Sequence, residues 1–382
     1  MTNQESASHA RPPSPVPAAG ATEDRPGLPR FITVIIGVAA TLLVIMLLKQ
    51  FSGIVGPVFL AINLVIAAYP IFSWLRSKGT PGWLSAAVMF LAVTVILLAA
   101  VAGLVWAVSA MVYQLPNYSA EWTAMYNTVI SWLASYDINT TGMSDLMRQI
   151  SPSSVVSALS TAFSYTTAIA GVVATVVLSL VFIAMDTPGM RARVRLVATE
   201  YPRLTESMTN FTSHLRTYWV AATVFGAIVA TLDGLTLWIL GVPLPVVWAM
   251  LAFLTNYIPN IGFFIGLLPP VLLALLGGGW QLALAVVVVY SVVNTVIQTI
   301  IQPRIVGESI GVMTTVSFVS LLLWGFVLGP VGTLIAVPMT LLLKALFIDA
   351  DPRAAWLGAF ISSSKANAKK IKPPKALTPA VK

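Results

Sequence analysis

The chain has 382 residues, 58% of them hydrophobic and only 9% charged, with a formal net charge of +8 and no cysteine. Soluble domains carry about 25% charged residues, so this composition excludes a soluble globular protein, and the missing thiols exclude disulfides, thiol catalysis and cysteine metal sites. A basic balance on so apolar a chain bears on orientation and lipid contact rather than on nucleic acid. The apolar runs lack the alternation of barrel strands, which leaves membrane-spanning helices.

Residues 1–30 are rich in Pro, Ala, Ser and Gly and read as a disordered tail. The first apolar run begins only at Phe31, and no small-x-small cleavage site follows a short core, so the start does not read as a secretory signal. Residues 31–112 hold the N-terminal membrane helices: Phe31 to Leu48, Phe51 to Leu75, and Trp83 to Val112. The first two are separated only by Lys49-Gln50, which predicts an antiparallel hairpin. The third is about 45 Å long at the helical rise, longer than a hydrocarbon core of about 30 Å, and should tilt or project into water.

Residues 113–151 are the one sizeable extramembrane segment between spans. Trp122, Met125, Tyr126, Val129, Leu133 and Tyr136 recur at helical spacing and predict an amphipathic helix from Ser119 to Tyr136. Asp137 to Gly142 reads as a turn, and Ser151-Pro152 as an N-cap with Pro at the first helical position. Residues 152–348 hold the C-terminal membrane helices. A fourth span runs to Ala184, and Asp186 to Arg216 reads as a loop carrying Arg191, Arg193, Arg195, Arg203 and Arg216. A fifth span runs from Tyr218 to Leu240 and contains Asp233. Residues 244–276 form a broken pair, re-entrant or spanning, interrupted at Asn256-Tyr257-Ile258-Pro259-Asn260-Ile261-Gly262. Leu282 to Ile301, Thr314 to Leu328 and Val331 to Phe347 complete the spans, and residues 349–382 are a lysine-rich tail.

The loops carrying Arg76 and Lys78, and the five arginines after Asp186, fall on the same side as the basic tail, whereas residues 113–151 hold Arg148 against Glu121, Asp137 and Asp145. Lys/Arg bias then predicts a multi-pass protein of the cytoplasmic membrane with both termini cytoplasmic and the 113–151 segment external. The lysine tail is expected to attract anionic lipid.

There is no phosphate-binding G-x-x-x-x-G-K-[ST] and no H-E-x-x-H, and the two histidines are His9 and His214. Without a nucleophile–base pair, an enzyme is not expected, and neither a cofactor nor a metal site is.

Four polar features stand out. Asn294, Gln298 and Gln302 recur at steps of four, with Ser291 near the same face; they either line a hydrophilic path or bond neighbouring helices. The break holds Asn256, Tyr257, Pro259 and Asn260. Pro259 unseats the helix there, and the break reads either as a solute contact at a half-helix end or as a tight turn capped by its asparagines. Asp233 is the one acid inside a span; it reads as a proton- or sodium-coupling carboxylate or as a group towards the outer end of the span, protonated or reaching the interface. Arg304 and Glu308, after the polar helix, are a candidate gate or ordinary interfacial charges.

The C-terminal half carries a specific run of motifs: Gly241-Val242-Pro243, the helix Trp248 to Leu254, Pro259-Asn260-Ile261-Gly262, Gln302-Pro303-Arg304-Ile305-Val306-Gly307, and Gly329-Pro330-Val331-Gly332-Thr333-Leu334-Ile335-Ala336-Val337-Pro338. With these motifs the chain resembles the autoinducer-2 exporter family, the PerM-like permeases, from about Phe31 to Phe347. The resemblance implies about eight spans, an efflux-type transporter and a homo-oligomeric assembly, a pentamer among the options. Some members resemble exporters of autoinducer-2 and others sodium/proton antiporters. Two departures matter: Gly262-Phe263-Phe264 stands where the family often has Gly-Pro, and Asp233 stands where a small or apolar residue is expected, so no family role carries over to it.

The expectation is therefore an all-α polytopic membrane protein of about eight transmembrane helices plus a broken or re-entrant pair. It exports a small polar, autoinducer-2-like solute past Asn256, Tyr257, Pro259, Asn260, Asn294, Gln298 and Gln302. The alternatives are a sodium/proton antiporter using Asp233, or a non-transport membrane scaffold.

Overall fold

A computed structural model describes residues 29–136, 157, 166–259, 261–306, 313–352, 354 and 357–361. Every regular element in them is helical. The predicted turn at Asp137 to Gly142, the cap at Ser151-Pro152, the start of the fourth span, Asn260, Glu308 and most of both tails lie outside these residues.

In chain order the helices are α1 (Arg30–Gln50), α2 (Ser52–Ser77), α3 (Gly82–Gln114), α4 (Ser119–Ala134), α5 (Thr166–Glu200), α6 (Pro202–Ile239), α7 (Pro245–Thr255), α8 (Gly262–Asn294), α9 (Gln302–Val306), α10 (Thr314–Leu334), α11 (Ala336–Lys344) and α12 (Gly358–Ile361). Two π-helical segments, Thr295–Ile301 and Ala345–Asp349, follow α8 and α11. Six described helices are long and apolar enough to cross a membrane, and shorter apolar helices accompany them. The chain is an all-α polytopic membrane protein.

The chain divides into a unit ending at Leu47, whose described residues belong to the apolar helix α1 with large side chains exposed, and a unit starting at Leu48. Within the second unit α2 packs against α3, α5, α6 and α10. The expected amphipathic helix is present as α4, continuous with α3 through one 3₁₀ turn at Leu115–Tyr118. The charged stretch after Asp186 differs from its reading as a loop. It is helical, forming the end of α5 and the start of α6 with a break at Tyr201, where Pro202 takes the first helical position. Arginines in a sequence mark exposure to water, and a helix extended beyond the bilayer meets that requirement as well as a loop does. Arg193 pairs with Asp186 along the same helix at 3.5 Å.

The broken pair is a hairpin. A Cβ built on Gly262 would collide with the Thr255 carbonyl, and one on Gly266 would sit 3.1 Å from Thr255 Oγ1 and 3.3 Å from Ala252 Cα. Residues near 262 and 266 thus face 255 and 252, as two antiparallel helices sharing a tip require. A second hairpin repeats the device. Gly329 has φ 68° and turns the chain inside α10, and a Cβ on Gly332 would collide with the Trp324 carbonyl. Ser320 and Trp324 then meet Thr340 across it, at 2.5 and 3.2 Å. Gly279, with φ 77°, reverses α8 in the same way, so that 262–278 and 280–294 lie side by side.

This geometry predicts a contrast. Gly262→Ala should destabilise the purified protein by about 1–3 kcal/mol through overpacking against backbone. Gly171→Ala, on α5 with nothing near its Cβ, should leave stability unchanged or slightly raised. Thermal unfolding in detergent measures both, and equal midpoints would show that the hairpin is not closed at Gly262.

Candidate functional site

α6 is built inside out. Its stripe Ala222, Phe225, Val229, Asp233 and Leu237 is buried in the bundle, while Val220, Val224 and Ile228 are exposed. Steps of three and four place Asp233 on the buried stripe. Asp233 is therefore packed inside the bundle, the residue 3% exposed. Two glycines let the first hairpin approach this stripe. A Cβ on Gly226 would lie 2.7 Å from Asn256 Nδ2, and one on Gly234 would lie 2.8 Å from the Ala249 Cβ.

The hairpin tip is tied to α6 by hydrogen bonds. Asn256 donates through Nδ2 to the Ala222 carbonyl at 3.0 Å, and Gln298 donates through Nε2 to Asn256 Oδ1 at 2.7 Å. Tyr218 donates its hydroxyl to the Tyr257 carbonyl at 3.0 Å, and the Tyr257 and Thr223 hydroxyls share a bond of 2.8 Å. The Tyr257 ring also packs on Trp219, whose indole N–H reaches Asn63 Oδ1 on α2 at 3.4 Å.

Behind the tip lies a cavity of about 10 Å³ lined by Val229, Asp233, Ala252, Thr255, Asn256, Gly262, Phe263, Gly266, Tyr290, Asn294 and Gln298. That is the scale of one water molecule. Residues from four places in the sequence meet here: α6, the end of α7 with the break, the start of α8, and the second half of α8 with the π segment. Asp233 Oδ1 and Tyr290 Oη are buried and have no hydrogen-bond partner among the described residues.

Of the residues singled out in the sequence, Asn256, Asn294, Gln298 and Asp233 line the cavity. Tyr257 and Pro259 form the tip outside it. Gln302 does not line it, and the π segment from Thr295 to Ile301 gives the reason. A π turn is wider than an α turn, so the four-residue stripe loses its register after Gln298. Arg304 is exposed, and its proposed partner Glu308 lies outside the described residues. Among the described residues no group of His, Cys, Asp and Glu is placed to hold a metal ion.

Sequence reasoning missed Asn63, Tyr218, Trp219, Thr255 and Tyr290. Tyr290 was within reach, since it stands four residues before Asn294 and extends the stripe backwards. Asn63, a lone amide between Pro57 and Pro70 in an apolar helix, carried a weaker signal.

The model of the AI-2E transporter family matches residues 32–350, most of the chain. The chain belongs to the AI-2E transporter family. The family is one of transporters rather than enzymes. A Haemophilus influenzae protein, whose name assigns it to transport without a substrate, is 26% identical over 326 residues, covering 84% of this chain and 93% of the relative. The AI-2 transport protein TqsA of Escherichia coli K12 is 40% identical over 120 residues, covering 30% of this chain and 35% of TqsA. YhhT of the same organism, also named for transport, is 27% identical over 77% of this chain and 84% of its own length.

The Asn256–Gln298 bond ties the tip to the π segment, so the two side chains should be energetically coupled. A double-mutant cycle with Asn256→Ala and Gln298→Ala, read by unfolding in detergent, should give a coupling of about 0.6–1.7 kcal/mol. Strict additivity would show that the bond contributes nothing.

Proposed function

We propose that this permease moves a small, polar, uncharged solute outward across the cytoplasmic membrane, along a path lined by Asn256, Asn294 and Gln298. Tyr257 and Pro259 form the moving tip in this reading, Asn260, outside the described residues, is assigned to the same path, and Gln302 lies beyond the π segment. The observation that carries it is the convergence of amides from a broken hairpin and from a π-helical segment on one cavity inside an apolar bundle. Irregular backbone at membrane depth is tolerated only where it is buried in protein or lines a wet cavity. Amides offer both donors and acceptors without charge, which suits a hydroxylated solute better than an ion. The name of TqsA, a relative 40% identical over its matched stretch, points to AI-2 as the first solute to test.

In the conformation described the cavity admits no more than a water molecule, so passage needs the hairpin to part from α6 and from the second half of α8. The Asn256 bonds to Ala222 and Gln298 are the contacts that such a movement breaks.

The test is efflux of AI-2 from proteoliposomes. The Asn294→Ala/Gln298→Ala variant should lose about tenfold or more in rate, as expected for removing two amide contacts. Unchanged flux at equal incorporated protein removes these side chains from the path. A wild type that moves no AI-2 removes AI-2 as the substrate.

A further inference from the structure

The amide path leaves two groups in its cavity unused. Asp233 Oδ1 and Tyr290 Oη are both buried without a partner among the described residues, at 3% and 1% residue exposure, and both line the same small space. Each reaches it from a different helix, α6 and the second half of α8. A buried polar group without a partner is costly, and a carboxyl at membrane depth more so. Two such groups on one cavity are better explained by something that binds between them than by two independent packing faults.

The chemistry of the lining narrows what binds. Beside the carboxyl and phenol oxygens, Asn294 offers an amide and Thr255 a hydroxyl, so the donor set is all oxygen with one acid. The space has room for one water-sized species. Among the described residues, Tyr290 is the titratable group facing Asp233. From α7 and the start of α8 the cavity receives Ala252, Thr255, Asn256, Gly262, Phe263 and Gly266, none of them charged. Among the described residues no base lines the cavity to neutralise the carboxyl.

We propose that Asp233, Tyr290 and Asn294 form a binding site for one small monovalent cation, a proton or sodium, which is taken up and released as the hairpin opens and closes. In the closed state the cation neutralises Asp233 in its dry setting. Parting of Asn256 and Thr255 from α6 admits water and lets the cation leave. Asp233 sits on the buried stripe of α6 one turn from Val229, and Gly234 beside it holds α7 in contact, so occupancy of the site and closure of the hairpin favour each other. The proposed coupling rests on the cavity being the transport path, while cation binding itself does not.

Two measurements on the full chain separate these. Infrared difference spectra of the protein in nanodiscs, without solute, should show a carboxylic-acid carbonyl band that responds to pH, or to replacing choline by sodium at fixed pH. The first response identifies a proton and the second sodium. The band should be absent in Asp233→Asn and displaced in frequency in Tyr290→Phe, with both variants checked for monodispersity. If Asp233→Asn shows the same pH and sodium differences as wild type, the site does not exist. In proteoliposomes loaded with AI-2, an imposed proton or sodium gradient should speed wild-type efflux several-fold over its own rate without a gradient, and should leave the rate of Asp233→Asn, whatever its level without a gradient, unchanged. Gradient stimulation that survives in Asp233→Asn overturns the coupling, whereas absence of efflux in wild type would count against AI-2 as the solute and leave the infrared result standing.

Discussion

A peptide group released from a helix inside a bilayer must find its partner within the protein. At the first hairpin tip the chain meets this demand locally. Ile258 N–H bonds the Thr255 carbonyl at 2.9 Å, Gly262 N–H bonds the Ile258 carbonyl at 3.0 Å, and the Tyr257 carbonyl receives the Tyr218 hydroxyl. The last of these reaches across to α6, and with it the tip becomes part of the bundle. Closure of the antiparallel helices on Gly262, the approach of Asn256 to Gly226 and the position of Gln298 all depend on that tip being held.

The same constraint explains why α2 occupies a central place. The second hairpin tip meets α2 at Gly56, where a Cβ would lie 3.3 Å from Val331. The first tip meets it indirectly, through Tyr257, Trp219 and Asn63. Gly56 and Asn63 are seven residues apart, two helical turns, and therefore share a face. Asn63 is fully buried and returns its own donor to the Phe59 carbonyl at 2.6 Å. One face of one helix thus contacts both irregular elements, directly or through a single aromatic pair.

Inside this frame the polar groups divide by chemistry. The amides of Asn256 and Gln298 bond each other and a backbone carbonyl, which makes them a latch as well as a lining. Asp233 Oδ1 and Tyr290 Oη have no hydrogen-bond partner among the described residues. Among the described residues a further ion pair, Lys344 with Asp349 at 2.8 Å, lies at the end of α11, away from the cavity lining. Neutral hydrogen-bonding groups and one acid therefore share a space on the scale of one water molecule.

Much of this was legible in the sequence. Apolar runs and their lengths decide the spans, because a bilayer fixes how much apolar helix is needed. Pro259 and Gly262 mark the break because one removes a donor and the other leaves out a Cβ, and the heptad-like recurrence of Trp122 to Tyr136 marks α4. The four-residue spacing of Asn294 and Gln298 puts them on one face. Other features depend on the third dimension. Helical periodicity continues through charged residues, so composition alone could not tell the helical ends around Tyr201 from a loop. The π-helical segment after Asn294, beyond which Gln302 does not line the cavity, is not marked by the four-residue spacing of the sequence. Asp233 was visible as an acid in a span, but its neighbours were not. Tyr290 and Thr255 lie 57 and 22 residues away in sequence, and only the folding of two hairpins against α6 brings them to it. The sequence alone determined which segments enter the membrane and where they break, because those follow from local transfer and backbone chemistry. The tertiary structure alone decided which polar groups meet, because that depends on how close the backbones come at Gly226, Gly234 and Gly262.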